Sequence, residues 1–150
     1  MSFKDQSFEA RFAKMGDEAE AMYETVTEQS HIRYGLDRPP LKLSALPMRV
    51  RHAPDYLESD RFVEVGGYGR DGIFKLKLDK LSCLNWWDDL HPVDIFVWHT
   101  TMQRWCRGPL GWFRDHANTE NVEVGWFPEG KMYFGFRTKH LSELGWHDVE

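Results

Sequence analysis

Asp55 and Glu64 are the residues of this chain best suited to do chemistry together. Asp55 follows Pro54, and eight residues separate it from Glu64, which sits inside an apolar run, Phe62-Val63-Glu64-Val65. A strand of that composition buries at least one face, and an unpaired carboxylate there is costly. A metal ion or a lysine would stabilise it. Lys75 and Lys77 follow the turn Gly66-Gly67-Tyr68-Gly69 in a second alternating run, Ile73 to Lys77. Further upstream, Glu20 sits at the edge of an apolar helical stripe.

The elements that must hold these residues can be read in order. Phe8, Phe12, Met15, Ala19, Met22, Tyr23 and Val26 recur at helical steps, with Ser7 as a cap. Glu18 and Glu24 on that helix read as solvated. Residues 27–47 read as a connection, with a short strand near His31–Tyr34 and a helix-incompatible Asp37-Arg38-Pro39-Pro40. Met48 to His52 alternates and reads as a strand end. Asp55-Tyr56-Leu57 is extended, Glu58-Ser59-Asp60 turns, and Arg61 to Val65 is a strand. Asp55 and Glu64 are thus expected side by side on neighbouring strands. Ile73 to Lys77 makes a third strand, expected to pair near Glu64. A helix from Leu78 to Leu90 follows, with Asp79 as its cap, and Val93 to Thr100 forms a central apolar strand. Met102 to Asn118 reads as a loop or broken helix. Asn121–Phe127 and Lys131–Arg137 flank Pro128-Glu129-Gly130 as a hairpin, and a last short helix covers Lys139 to Leu144.

The 150 residues fit a single domain with a ring-rich core, 41% hydrophobic and 15% aromatic. No run approaches the ~20 apolar residues of a membrane span. The start of the chain lacks an apolar signal region. Cys83 and Cys106 lie far apart without metal-type spacing, which reads as a reduced, cytoplasmic protein. Net charge is −5, against a polyanion partner, yet residues 31–80 hold ten basic and seven acidic residues. That basic middle, which contains both carboxylates, can face phosphates.

An acidic helix, a PD dipeptide on a strand (Pro54-Asp55), an acidic residue in the next strand (Glu64), and then strand, helix and strand together resemble the PD-(D/E)xK nuclease superfamily. The layout is similar to its small Holliday-junction-resolvase and phage-type members. The resemblance covers about Phe8 to Thr100 and leaves 101–150 as a C-terminal extension with the hairpin. It implies an α/β restriction-endonuclease-like core, a mixed central sheet flanked by helices in the order αβββαβ. It also implies a divalent-metal-dependent DNA endonuclease that hydrolyses phosphodiester bonds, in branched or structured DNA if the resolvase likeness holds. Asp55 and Glu64, with the Val65 carbonyl, would hold Mg²⁺ or Mn²⁺, hard cations that keep several waters. Glu20 matches the helix glutamate. The lysine of the third motif falls on Gly66, so Lys75 or Lys77 is expected to replace it. Clustered carboxylates repel, so their pKa values should rise without metal and fall with it. The resolvase likeness, extended to assembly, implies a twofold homodimer; extended to source, it implies a phage protein acting in the host cytoplasm. The alternative is an inactive nuclease-fold protein that binds DNA or a partner protein.

Other chemistries fit less well. None of the seven histidines has zinc-type spacing, and neither cysteine has a nucleophile's setting. His52, just before Pro54-Asp55, reads as a surface residue at a strand end. Trp105, Trp112 and Trp126, beside Arg104, Arg107 and Arg114, read as an exposed ring-and-arginine surface for DNA or a partner.

Overall fold

The apolar stripe at the start of the chain becomes α1, Phe8–Val26, whose Ala19 and Tyr23 are fully buried. The computed structural model describes residues 8–36, 45–69, 71–119 and 122–149, with 8–15 described by backbone alone. Ser7, the connection 37–44 and the side chains of Phe8, Phe12 and Met15 lie outside the described residues. The fold is mixed α/β. Its larger sheet contains β1 (His31–Arg33), β2 (Tyr56–Glu58), β3 (Phe62–Gly67), β5 (Val93–His99), β6 (Arg104–Pro109) and β9 (His147–Asp148), in that spatial order. Within it β3 and β5 are parallel and the other neighbours antiparallel. A smaller sheet runs β4 (Ile73–Lys77), β8 (Met132–Arg137) and β7 (Glu123–Trp126).

Period-two patterning sorts the larger sheet into two faces. Tyr56, Val63, Val65, Phe96 and Trp98 turn towards α1 and pack on Ala19 and Tyr23. Phe62, Val93, Ile95, Val97 and Cys106 belong to the core on the other side, with Leu81 and Leu84 of α3 (Leu78–Leu90) and Leu110 and Phe113 of α4 (Leu110–Ala117). β5 is buried at all seven positions because it is central and covered on both faces. The parallel pairing of β3 with β5 requires a crossover, supplied by β4 and α3.

Several expectations are corrected. Met48 to Arg51 is a helical turn, α2, entered from Pro47, and its alternation signals no buried face, since Met48 and Val50 are exposed. The segment from Met102 to Asn118, read as a loop or broken helix, forms the strand β6 and then the helix α4, whose start is set by the extended Pro109. Glu18 and Glu24 are not merely solvated: Glu18 accepts the Trp98 indole N–H at 3.1 Å and Glu24 accepts the Tyr56 hydroxyl at 2.7 Å. Trp105 stacks between Phe96 and His147, Trp112 packs on the core, and of the three tryptophans only Trp126 is exposed. α3 starts after Lys77, so Asp79 lies in its first turn instead of capping it. The short last helix is met by α5 (Thr138–Leu141) and the 3-10 turn Ser142–Leu144.

A charged cluster fixes the end of the sheet where β3 and β5 begin. Arg107 grips Glu58 with two N–H groups at 2.6 and 2.8 Å and donates its Nε–H to Asp94 at 2.8 Å. Tyr23 donates its hydroxyl to Glu58 at 2.7 Å, joining α1 to the cluster. The Glu58 side chain is 1% exposed and that of Asp94 is 8%. Removing the shared cation leaves buried Glu58 with the Tyr23 hydroxyl and buried Asp94 with the more distant Arg61, a loss of about 3–5 kcal/mol. Arg107→Ala is expected to lower the chemical-denaturation free energy by that amount. A loss under about 1 kcal/mol, the range of surface pairs, would contradict the arrangement.

Candidate functional site

Asp55 precedes the first residue of β2, and Tyr56 pairs with Val63, so Asp55 lies opposite Glu64. Both side chains therefore leave the sheet on the face covered by α3. Three hydrogen bonds fix Asp55. Its backbone carbonyl accepts the N–H groups of Tyr34 and Gly35 at 2.8 and 3.2 Å, and its Oδ2 accepts the Val65 N–H at 2.8 Å. Gly35 is needed for this junction, since a Cβ there would lie 2.7 Å from the Pro54 carbonyl oxygen. The N–H and C=O of one strand residue leave on the same edge, so the Val65 carbonyl also faces the Asp55 side.

Glu64 is 5% exposed in the middle of β3. Its Oε1 accepts a hydrogen bond from Lys80 Nζ at 3.0 Å. Its Oε2 is buried and has no hydrogen-bond partner. Burial, and then the neighbouring Asp55 carboxylate, raise the Glu64 pKa from 4.5 to about 8, against the pull of Lys80. The Lys80 pKa is raised by the ionised form of Glu64, with Asp55 and Glu20 adding to it against the cost of burial. Its side chain remains one third exposed, so the ammonium faces both the carboxylate and solvent.

Glu20 reaches the same corner from α1, through an arginine. Arg33 Nη1 lies 2.8 Å from Glu20 Oε2, and Arg33 Nη2 lies 3.6 Å from Asp55 Oδ1. The structure thus draws Glu20, Asp55 and Glu64 into one neighbourhood, with Arg33 and Lys80 as its cations. Lys75 and Lys77 are not there. Their strand pairs with β8 in the smaller sheet, not with β3. Lys75 Nζ is on Asp71 at 2.9 Å and Lys77 Nζ is 3.4 Å from Glu129. The expectation that their strand lies beside Glu64 is corrected.

Gly66 has a physical explanation. A Cβ at position 66 would sit 2.6 Å from Cε1 of the Phe74 ring, so β4 occupies the space a lysine there would need. The cation arrives instead from the next element, the first turn of α3. Sequence reasoning missed Lys80 and Arg33. Lys80 reaches Glu64 because α3 crosses over from β3 to β5, which lays its first turn on the Glu64 face. His52 also adjoins the site. Burial and the positive charges of Lys80 and Arg51 push its pKa down to about 4, so it is a neutral imidazole near pH 7.

Among the described residues no group of three or more His, Cys, Asp and Glu side chains is arranged to hold a metal ion. Two carboxylates suffice for a cation that keeps most of its waters. The orphaned Glu64 Oε2 beside Asp55 fits such a cation, because a buried acceptor needs either a proton or a positive charge. No family model matches this chain, and neither the curated proteins nor the solved structures contain a significant match to it.

The raised pKa of Glu64 has a sign that can be checked. Between pH 4.5 and about 8 the folded state holds a proton on Glu64 that the unfolded chain has released, so stability falls as pH rises through that window. Glu64→Gln removes this titration. The variant should gain stability relative to the wild type as pH rises from 4.5 to about 8, with no further gain above, as read by denaturation at several pH values. A difference independent of pH would contradict the buried, proton-holding Glu64.

Proposed function

We propose that the chain is a divalent-metal-dependent DNA endonuclease of the PD-(D/E)xK type, with Asp55 and Glu64 as the metal-binding acids and Lys80 as the catalytic lysine. The carrying observation is the arrangement at Glu64: one oxygen on a lysine that is one third exposed, the other orphaned beside a second carboxylate. The order α1, β1, α2, β2, β3, β4, α3, β5, with β1, β2 and β3 antiparallel and β5 parallel to β3, supports a restriction-endonuclease-like core even though β4 leaves for the smaller sheet.

In this reading Asp55, Glu64 and the Val65 carbonyl hold Mg²⁺ or Mn²⁺. The ion would supply charge on a phosphate oxygen and acidify the attacking water. Lys80 orients that water or stabilises the charge that grows on the phosphate. Asp55 is held rigid by its three backbone hydrogen bonds, and Arg33 links it to Glu20, which acts by positioning. Glu64 must lose its proton for the ion to bind, so affinity for Mn²⁺ should increase as pH rises towards 8.

The expected outcome is nicking of plasmid or cleavage of a four-way junction with Mn²⁺ and none with EDTA. Asp55→Ala, Glu64→Ala and Lys80→Ala should each reduce the rate by about 10²-fold or more. Lys75→Ala should leave the catalytic step unchanged. Cleavage that persists in Asp55→Ala and Glu64→Ala would refute the assignment. A second reading, a nuclease-like protein that binds without cutting, is favoured by the resident cations: Arg33 beside Asp55 and Lys80 on Glu64 already balance part of the acidic charge. DNA binding without cleavage under every metal condition would select it.

A further inference from the structure

The first turn of α3 joins the candidate site to the C-terminal hairpin. Lys80 pairs with Glu64, and its neighbour Asp79 pairs with Lys131 of the hairpin at 2.9 Å. Lys77, the residue before α3, lies over the Phe127 ring at 4.9 Å and beside Glu129 at 3.4 Å. The hairpin tip is therefore fastened within one helical turn of the lysine that touches the carboxylates. On another side of α3, the Trp87 indole N–H donates to the Arg49 carbonyl at 3.0 Å and anchors α2. Arg49 spreads over the Trp86 ring at 4.6 Å. Neither Arg49 nor Arg51 forms an ion pair among the described residues, and the buried Nε of Arg51 has no hydrogen-bond partner.

These observations place α2, whose two arginines form no ion pair among the described residues, and the hairpin tip, whose Lys131 is paired with Asp79, against the helix that carries the site lysine. Arg49, Arg51, Lys77 and Lys131 outweigh their local acids, Asp79 and Glu129. The excess positive charge, carried by Arg49 and Arg51, suits the phosphates of a nucleic-acid backbone. Trp126, next to the hairpin tip, is 65% exposed. Its indole is a platform for a base face, which only an unpaired base can offer.

We propose that α2 and the β7–β8 hairpin form a track for a DNA strand with unpaired bases, with Arg49, Arg51 and Lys131 on its phosphates and Trp126 under a base. This rests on the nuclease reading above and narrows its substrate to DNA with single-stranded segments.

The test is fluorescence anisotropy with a labelled single-stranded oligonucleotide and its duplex, in EDTA over a salt series, beside the Mn²⁺ cleavage assay. Wild type should bind the single strand more tightly than the duplex. The double variant Arg49→Ala/Arg51→Ala should bind the single strand about tenfold or more weakly, with its salt slope reduced by about 1.4. Lys131→Glu should weaken both DNA forms. Trp126→Ala should weaken the single strand by about tenfold and leave the duplex unchanged. Circular dichroism melting checks that each variant folds, and Trp126 is exposed enough for its removal to be tolerated. If the wild type cleaves DNA while all these variants bind as it does, the track is wrong and the nuclease reading stands. If binding depends on them but no metal supports cleavage, the track stands and the nuclease reading falls. No binding by the wild type at low salt overturns the track.

Discussion

Glu64 is placed in the middle of a buried strand, and the contact that makes this tolerable is its pairing with Lys80. Much of the local architecture follows from the need to bring that lysine in. β3 cannot supply it, because the Phe74 ring covers position 66. β4 carries Lys75 and Lys77 away into the smaller sheet, where they pair with Asp71 and Glu129. Only when the chain returns as α3, on its way to β5, does an ammonium reach Glu64. The pairing remains incomplete, since one carboxylate oxygen finds no donor. Incomplete satisfaction of a buried acid is costly for a structural element and useful for a site that must accept a cation.

The opposite end of the sheet shows what a satisfied charged cluster looks like in the same fold. Glu58 and Asp94 are as buried as Glu64, yet Arg107, Arg61 and Tyr23 supply donors to both. In keeping with this, the Glu58 pKa is lowered, the guanidinium and hydroxyl donors overcoming the effect of burial, whereas that of Glu64 is raised. Two buried acids on one sheet therefore titrate in opposite directions. The difference lies in the number of donors each receives. This separates a cluster whose acceptors are all supplied from one that leaves an acceptor open, and the contrast favours the function proposed for Asp55 and Glu64.

The strongly periodic parts of the chain were legible. α1, β3, β5, α3 and the β7–β8 hairpin follow from stepping, alternation and turn residues. The juxtaposition of Asp55 with Glu64 followed from two short strands joined by a polar turn. The partners were not legible, because they depend on tertiary packing. Lys80 lies on a helix whose apolar residues announce a buried face but not which strand it covers. Arg33 lies on a three-residue strand whose neighbours become known only with the sheet order. α2 misled because Met-Arg-Val-Arg alternates in a single helical turn, where period two and period 3.6 cannot be told apart over four residues. β6 was hidden by Gly108 and Pro109, which read as loop residues but here end an antiparallel strand and start a helix.

The central claim is that Asp55 and Glu64 share one divalent cation. Anomalous diffraction from crystals equilibrated with Mn²⁺ near pH 8 addresses it directly. The account predicts a peak about 2.1 Å from one carboxylate oxygen of each residue, absent in Glu64→Gln. A well-ordered Glu64 that keeps its Lys80 pair, with no peak between the two carboxylates at saturating Mn²⁺, would contradict it.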